Sequence, residues 1–96
     1  MRRLRFSPRA EADLTEIWRY TAQRWGRERA ERYLREAHQR LGLLRETPGL
    51  GRPCDTVRRG YLRLVVGEHL AFYRVTDTNI DIIRLLHQSM DPDRHL

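Results

Sequence analysis

A chain of 96 residues with 40% hydrophobic side chains can enclose one modest core and excludes two, so it reads as a single domain over 1–96. Its net charge of +6 comes from 19 basic residues, all arginine, against 13 acidic ones; this points to an acidic partner, although a bias of the source genome would remove lysine equally. The lone Cys54 excludes an intrachain disulfide, and no stretch matches a signal-peptide core or the roughly 18 apolar residues of a membrane span, so a cytoplasmic protein without a membrane partner is expected.

Arg3 to Phe6 alternate polar and apolar, which predicts a short first strand. Ser7 then offers an N-cap, Pro8 suits the first helical position, and Glu11, Asp13 and Glu16 lie near the positive end of the dipole. The apolar stripe Leu14, Ile17, Trp18, Thr21, Trp25 carries this first helix over 8–25, and Gly26 is expected to stop it in the left-handed αL conformation. A second helix carries Ala30, Tyr33, Leu34, Ala37, Leu41 and Leu44 on one stripe and ends at Thr47-Pro48-Gly49. The pairs Glu28/Arg32, Glu31/Arg35 and Glu36/Arg40 mark its solvent face, each worth only about 0.2–0.5 kcal/mol. So short a connection at Gly26 predicts an antiparallel hairpin.

Prolines and glycines from Glu46 to Thr56 predict an irregular loop. Three strands follow, Tyr61–Val66, Leu70–Val75 and Ile80–Leu86, joined at Gly67-Glu68 and Asp77-Thr78-Asn79. The last is apolar on both faces and is expected to be central, between the meander and the first strand. The predicted class is α+β: an N-terminal strand, a two-helix hairpin and a three-stranded antiparallel meander, with the helices on one face of a four-stranded sheet. The uncovered face would offer Tyr61, Arg63, Tyr73, Arg74 and Arg84, beside Arg58 and Arg59.

Among groups that could do chemistry, His87 is a candidate acid or base, and Arg63 and Arg84 are candidate cations for stabilising an anionic transition state. A lone histidine without an oriented partner leaves the acid–base set incomplete, so no catalytic residue is assigned. His38, His69 and His95 lack ligand spacing and no phosphate loop is present, so neither a metal nor a cofactor is expected. A plain basic nucleic-acid-binding module is the third reading, without a recognition motif to support it.

The segments FSPRAEADLTEIWRY, TPGLGRP, FYRV and RLLHQSMDPDRHL, in that order, resemble the ParE branch of the RelE/ParE family of toxin-antitoxin toxins. The resemblance implies DNA gyrase as target, bound without chemistry, and a ParD-like antitoxin, with an antitoxin dimer bringing together two toxins. DNA would be met only indirectly, through antitoxin or gyrase. The RelE alternative is a ribosome-dependent mRNA endonuclease, and this chain departs from that branch in lacking lysine and a late tyrosine. Under the ParE reading, Trp18, Trp25 and Tyr33 are too large for one thin core and are expected to line an antitoxin groove, with Arg58, Arg59, Arg63, Tyr73 and Arg74 meeting an acidic arm. The ending is expected to dock through Met90 and Leu96 and to present Asp91, Asp93 and Arg94, with Met90, to the target.

Overall fold

The computed structural model describes residues 1–96. β1 (Arg3–Phe6) passes through Ser7 into α1 (Pro8–Trp25). The Ser7 hydroxyl accepts the Ala10 amide N–H at 3.0 Å and donates to the Ile83 carbonyl at 2.7 Å. One side chain thus caps the helix and ties its start to the last strand. α2 (Arg27–Gly42) follows across Gly26, whose φ of 96° and ψ of 162° place it outside the expected αL region. The helix tightens into a 3-10 turn at Leu43–Arg45, and a second such turn spans Pro48–Leu50.

β2 (Arg52–Pro53), β3 (Leu62–Val66), β4 (His69–Val75) and β5 (Asn79–His87) complete a five-stranded sheet in the order β1-β5-β4-β3-β2. β1 runs parallel to β5 and every other pair is antiparallel. β5 is therefore internal, as its two-sided apolar pattern requires. The expected four strands become five because Arg52 and Pro53, inside the anticipated loop, pair with Arg63 and Leu62. Proline is tolerated there because the outer strand needs no ladder N–H on its solvent side. The β3–β4 hairpin closes through Gly67 at φ 60°, the positive value that a two-residue turn of this hand demands of its first central residue.

The register slips between Phe72 and Tyr73: Phe72 faces Arg84 and Tyr73 faces Ile82, which leaves Ile83 as a bulge. Ile80, Ile82 and Leu85 thereby share the helical side, while Arg84 and Leu86 turn to the other. Two cores result. The larger joins Ala10, Ala37, Leu41 and Leu44 to Leu64, Val66, Ala71, Tyr73, Ile80, Ile82 and Leu85. The smaller joins Cys54, Phe72 and Leu86, with Val57, Tyr61, Leu70 and Leu96 packed around them. The second face is thus partly covered by the 54–61 segment and the C-terminus, against the expectation of an open sheet.

None of the three anticipated α2 pairs forms; Arg27 pairs with Glu31, and Arg19 with Glu16 on α1. Such surface pairs are worth tenths of a kcal/mol, whereas each fully buried leucine of the hairpin contributes about 1.5–3 kcal/mol. Packing, not helix-surface charge, sets this architecture.

Candidate functional site

The chain's ending is ordered by Arg84. Its guanidinium donates Nε–H and Nη2–H to both carboxylate oxygens of Asp13, at 2.8 and 3.0 Å, and Nη1–H to the His95 carbonyl at 2.7 Å. The same carboxylate accepts the Leu85 amide N–H at 2.9 Å, just past the end of the β1 ladder. Arg84 is 9% exposed, and its hydrogen bonds to Asp13 push its pKa above the ordinary arginine value despite burial. A guanidinium held this way has three of its five N–H donors engaged within the fold and is largely buried, which argues against Arg84 in the alternative catalytic set.

With His95 held and Leu96 seated against the smaller core, the tail turns into α3 (Pro92–His95), N-capped by Asp91, whose carboxylate accepts the Asp93 amide N–H at 3.0 Å. Asp91, Asp93 and Arg94 all face solvent. Leu96 is an anchor as expected. Met90 is not, being 37% exposed.

His87 ends β5, and its Nδ1 accepts the Ser89 amide N–H at 3.1 Å and lies 2.8 Å from the Ser89 hydroxyl. Across the ladder it meets His69 edge-on at 5.4 Å. His69 Nδ1 in turn lies 2.6 Å from the Tyr33 hydroxyl, which accepts the Glu68 amide N–H at 3.0 Å and sits 3.2 Å from the Val66 carbonyl. Burial, then the neighbouring His87, depresses the His69 pKa and so favours the neutral ring beside the Tyr33 hydroxyl. Burial raises the Tyr33 pKa. Tyr33 therefore pins α2 to the β3–β4 hairpin instead of lining an open groove.

Tyr73 is fully buried, and its hydroxyl donates to the Pro48 carbonyl at 2.7 Å and accepts the Gly51 amide N–H at 3.0 Å. It is withdrawn from the set of candidate contacts. Gly51 is held so close that an added Cβ would lie 2.5 Å from the Arg63 carbonyl oxygen. The anticipated aromatic surface reduces to Trp18 and Trp25, 36% and 55% exposed; the Trp25 ring lies under Arg29 at 4.5 Å and near Arg24 at 5.8 Å. Arg58, Arg59, Arg63 and Arg74 remain exposed, with Arg58 over the Tyr61 ring at 6.0 Å and Arg74 3.8 Å from Asp81.

Three participants escaped the sequence reading. Asp13 stands three residues after the buried Ala10 and one before Leu14, so its inward position was available from helical spacing. Arg40 and Arg52 carried no such signal. With Arg63, they line a cleft of about 470 Å³ at the outer side of β3.

Residues 4–92 match the family model described as "ParE toxin of type II toxin-antitoxin system, parDE". The chain belongs to the ParE toxin family. It is 50% identical over 91 residues to Toxin ParE1 of Mycobacterium tuberculosis, covering 94% of this chain and 93% of that protein. To Toxin ParE1 of Caulobacter vibrioides it is 47% identical over 96 residues, covering 100% and 99%. The fold superposes on a chain of the chromosomal ParDE TA system from P. aeruginosa with a TM-score of 0.80 at 25% identity, over 91% of this chain and 96% of that one. YafQ from E. coli, at TM-score 0.59 and 18% identity over 93% and 96%, shares the fold alone. ParE membership makes this chain the toxin component of a type II toxin-antitoxin system. No helix is long and apolar enough to cross a membrane.

Proposed function

We propose that this ParE-family toxin arrests growth by binding DNA gyrase, without chemistry of its own, and that a ParD-type antitoxin neutralises it, an antitoxin dimer holding two toxins. The observation that carries the reading is the Arg84 junction. It takes the most buried cation out of reach of a phosphate and at the same time locks the ending into a solvent-facing turn carrying Asp91, Asp93 and Arg94. A rigid charged turn is suited to recognising a protein, since its ordering entropy is already spent before binding. Likeness to the P. aeruginosa ParDE system supports the antitoxin half, with exposed Trp18, Trp25, Arg58, Arg59, Arg63 and Arg74 as its candidate contacts. DNA enters only through these partners, in the cytoplasm.

The test pairs gyrase supercoiling and cleavage-complex assays with ribosome-bound mRNA cleavage, on one purified sample. The expected result is gyrase inhibition without mRNA cleavage, weakened when Asp91, Asp93 and Arg94 are together replaced by alanine. Cleavage of mRNA that is lost in His87→Ala would replace this reading with the endonuclease one.

A further inference from the structure

β1 divides its side chains between the two faces of the sheet. Leu4 and Phe6 stand opposite Ile80 and Ile82 and pack on the helical side, so alternation turns Arg3 and Arg5 to the other face, opposite Asn79 and Asp81. Asp81 has Arg74 as its partner on β4, so Arg5, Asp81 and Arg74 form a row across three strands, about 10 Å from end to end. Asp81 lies 3.8 Å from Arg74, and Arg5 has no ion pair. The row lies beyond the cover that Tyr61 and Leu96 give to Phe72 and Leu86.

The charge continues around the β1 edge. Arg2 donates Nε–H to the Thr76 carbonyl at 2.7 Å and the Arg3 amide N–H donates to the Thr78 carbonyl at 2.9 Å, which pins the start of the chain against the β4–β5 turn. A cleft of about 430 Å³ opens there, lined by Met1, Arg2, Arg3, Arg45, Asp77 and Thr78. From Arg45 to Arg74, five guanidinium groups thus stand against the two carboxylates of Asp77 and Asp81. Guarding an open strand edge accounts for Arg3 and Arg5. It does not account for Arg74, two strands inward, or for Arg45, on the turn after α2.

We propose that this stripe is a second contact surface, on which Arg3, Arg5, Arg45 and Arg74 grip the phosphate backbone of duplex DNA held by gyrase. The proposal rests on the gyrase reading above: gyrase brings the DNA, and the toxin then touches it. Two features select a duplex. The stripe extends over roughly 15 Å, a length on which a duplex presents about nine charges, whereas a single carboxylate or free phosphate would satisfy only one end of it. None of the exposed large apolar side chains belongs to β1, β4 or β5, so the row lacks the apolar anchors by which a protein partner is held, and its polar, cationic make-up is that of a phosphate contact. Its position suits the same complex. Asp81 is three residues from Arg84, about 10 Å along β5, and Arg84 holds the tail. Gyrase gripping the tail turn would carry its DNA past the stripe.

The test reads the salt dependence of binding to a labelled duplex of about 20 base pairs, by fluorescence anisotropy from about 50 to about 200 mM salt. Wild-type toxin is expected to bind with a log–log slope of about −3 to −4, close to one released counterion per arginine. Replacing Arg3, Arg5 and Arg45 together by glutamine should weaken binding by at least about tenfold at the low-salt end and flatten the slope by about three. The matching lysine triple keeps the charge and should keep the slope, which separates lost charge from lost fold. A glutamine triple at Arg19, Arg32 and Arg35, on the exposed surface of the helix hairpin, removes equal charge and should leave the slope as it is. Towards gyrase, the Arg3, Arg5 and Arg45 glutamine triple should bind the DNA-free enzyme as wild type does, and lose the tightening that duplex adds for wild type.

A slope equal in wild type and in that triple, with gyrase still inhibited, would overturn the stripe and leave the gyrase reading standing. Duplex binding with the expected arginine dependence, but no inhibition of gyrase, would uphold the DNA contact and remove the gyrase reading. Polyglutamate or anionic phospholipid vesicles bound as tightly as the duplex, through the same arginines, would also overturn the proposal, because the stripe would then select no particular anion.

Discussion

Asp13 occupies a helical position that an apolar residue would ordinarily take, since α1 packs its Ala10, Leu14 and Ile17 face against the sheet. A carboxylate is stable there because every partner it needs is in place: two guanidinium N–H groups and the Leu85 amide. The two side chains are 16% and 11% exposed, so water replaces little of what either would lose. Removing one member of such a pair typically costs about 3–5 kcal/mol, because the other charge stays behind unpaired. Asp13→Ala is therefore expected to lower unfolding free energy by about 3 kcal/mol in a urea titration and to loosen the tail through Arg84. Adding Arg84→Met to that variant should restore part of the loss. A double variant no more stable than Asp13→Ala would mean that Arg84 acts through the His95 carbonyl instead.

Elements were legible in proportion to how local their causes are. The Ser7-Pro8 helix start, the Gly67 turn and the two-sided apolar β5 rest on neighbours in sequence, and all three stand as read. β2 and the Ile83 bulge depend on pairing between distant segments, and two residues of strand leave no periodicity to detect. The bulge is what turns Arg84 from the helical face, where alternation from Ile80 and Ile82 would put it, toward Leu86. Tyr33 and Tyr73 were misplaced for a related reason: size suggested a groove for the first and the uncovered sheet face was expected to offer the second, while each hydroxyl had main-chain partners brought near only by the fold. The end of the β3–β4 hairpin shows the energetic consequence. His69, wedged between Tyr33 and His87, has its pKa depressed below the ordinary 6.5 by burial and by the second ring, with Glu68 and Asp13 opposing. Its neutral form is the one that folds best, so the stabilisation is full above 6.5 and is lost as pH falls through the lower folded value, where the unfolded chain binds more protons. The melting temperature is expected to drop between about pH 7.5 and 5.5, and His69→Gln to flatten that drop. An equal slope in the variant would place the proton uptake elsewhere.

At the scale of the molecule, +6 on 96 residues is a property of solubility and encounter, not of the fold, and it was readable without a structure. What composition could not provide is where the charge sits. Of the arginines singled out from the sequence, Arg84 is internal, whereas Arg58, Arg59, Arg63 and Arg74 are exposed around the second face and the β3 edge. Arg58 packs on an aromatic ring and Arg74 has only a long contact with Asp81, so neither is neutralised within the fold. Exposed charges of one sign attract an opposite partner over about a Debye length, roughly 10 Å at 0.1 M salt and half that near 0.5 M. Long-range attraction of this kind speeds encounter, while separation is governed by short contacts that salt screens less. Raising salt from about 50 to about 500 mM should accordingly slow association with an acidic antitoxin by well over twofold, with dissociation changing less, as stopped-flow or surface-capture kinetics would read. Replacing Arg58 and Arg59 by glutamine should shrink that salt dependence. An association rate that moves by less than about twofold across the range would mean that these arginines keep the toxin in solution and take no part in drawing its partner in.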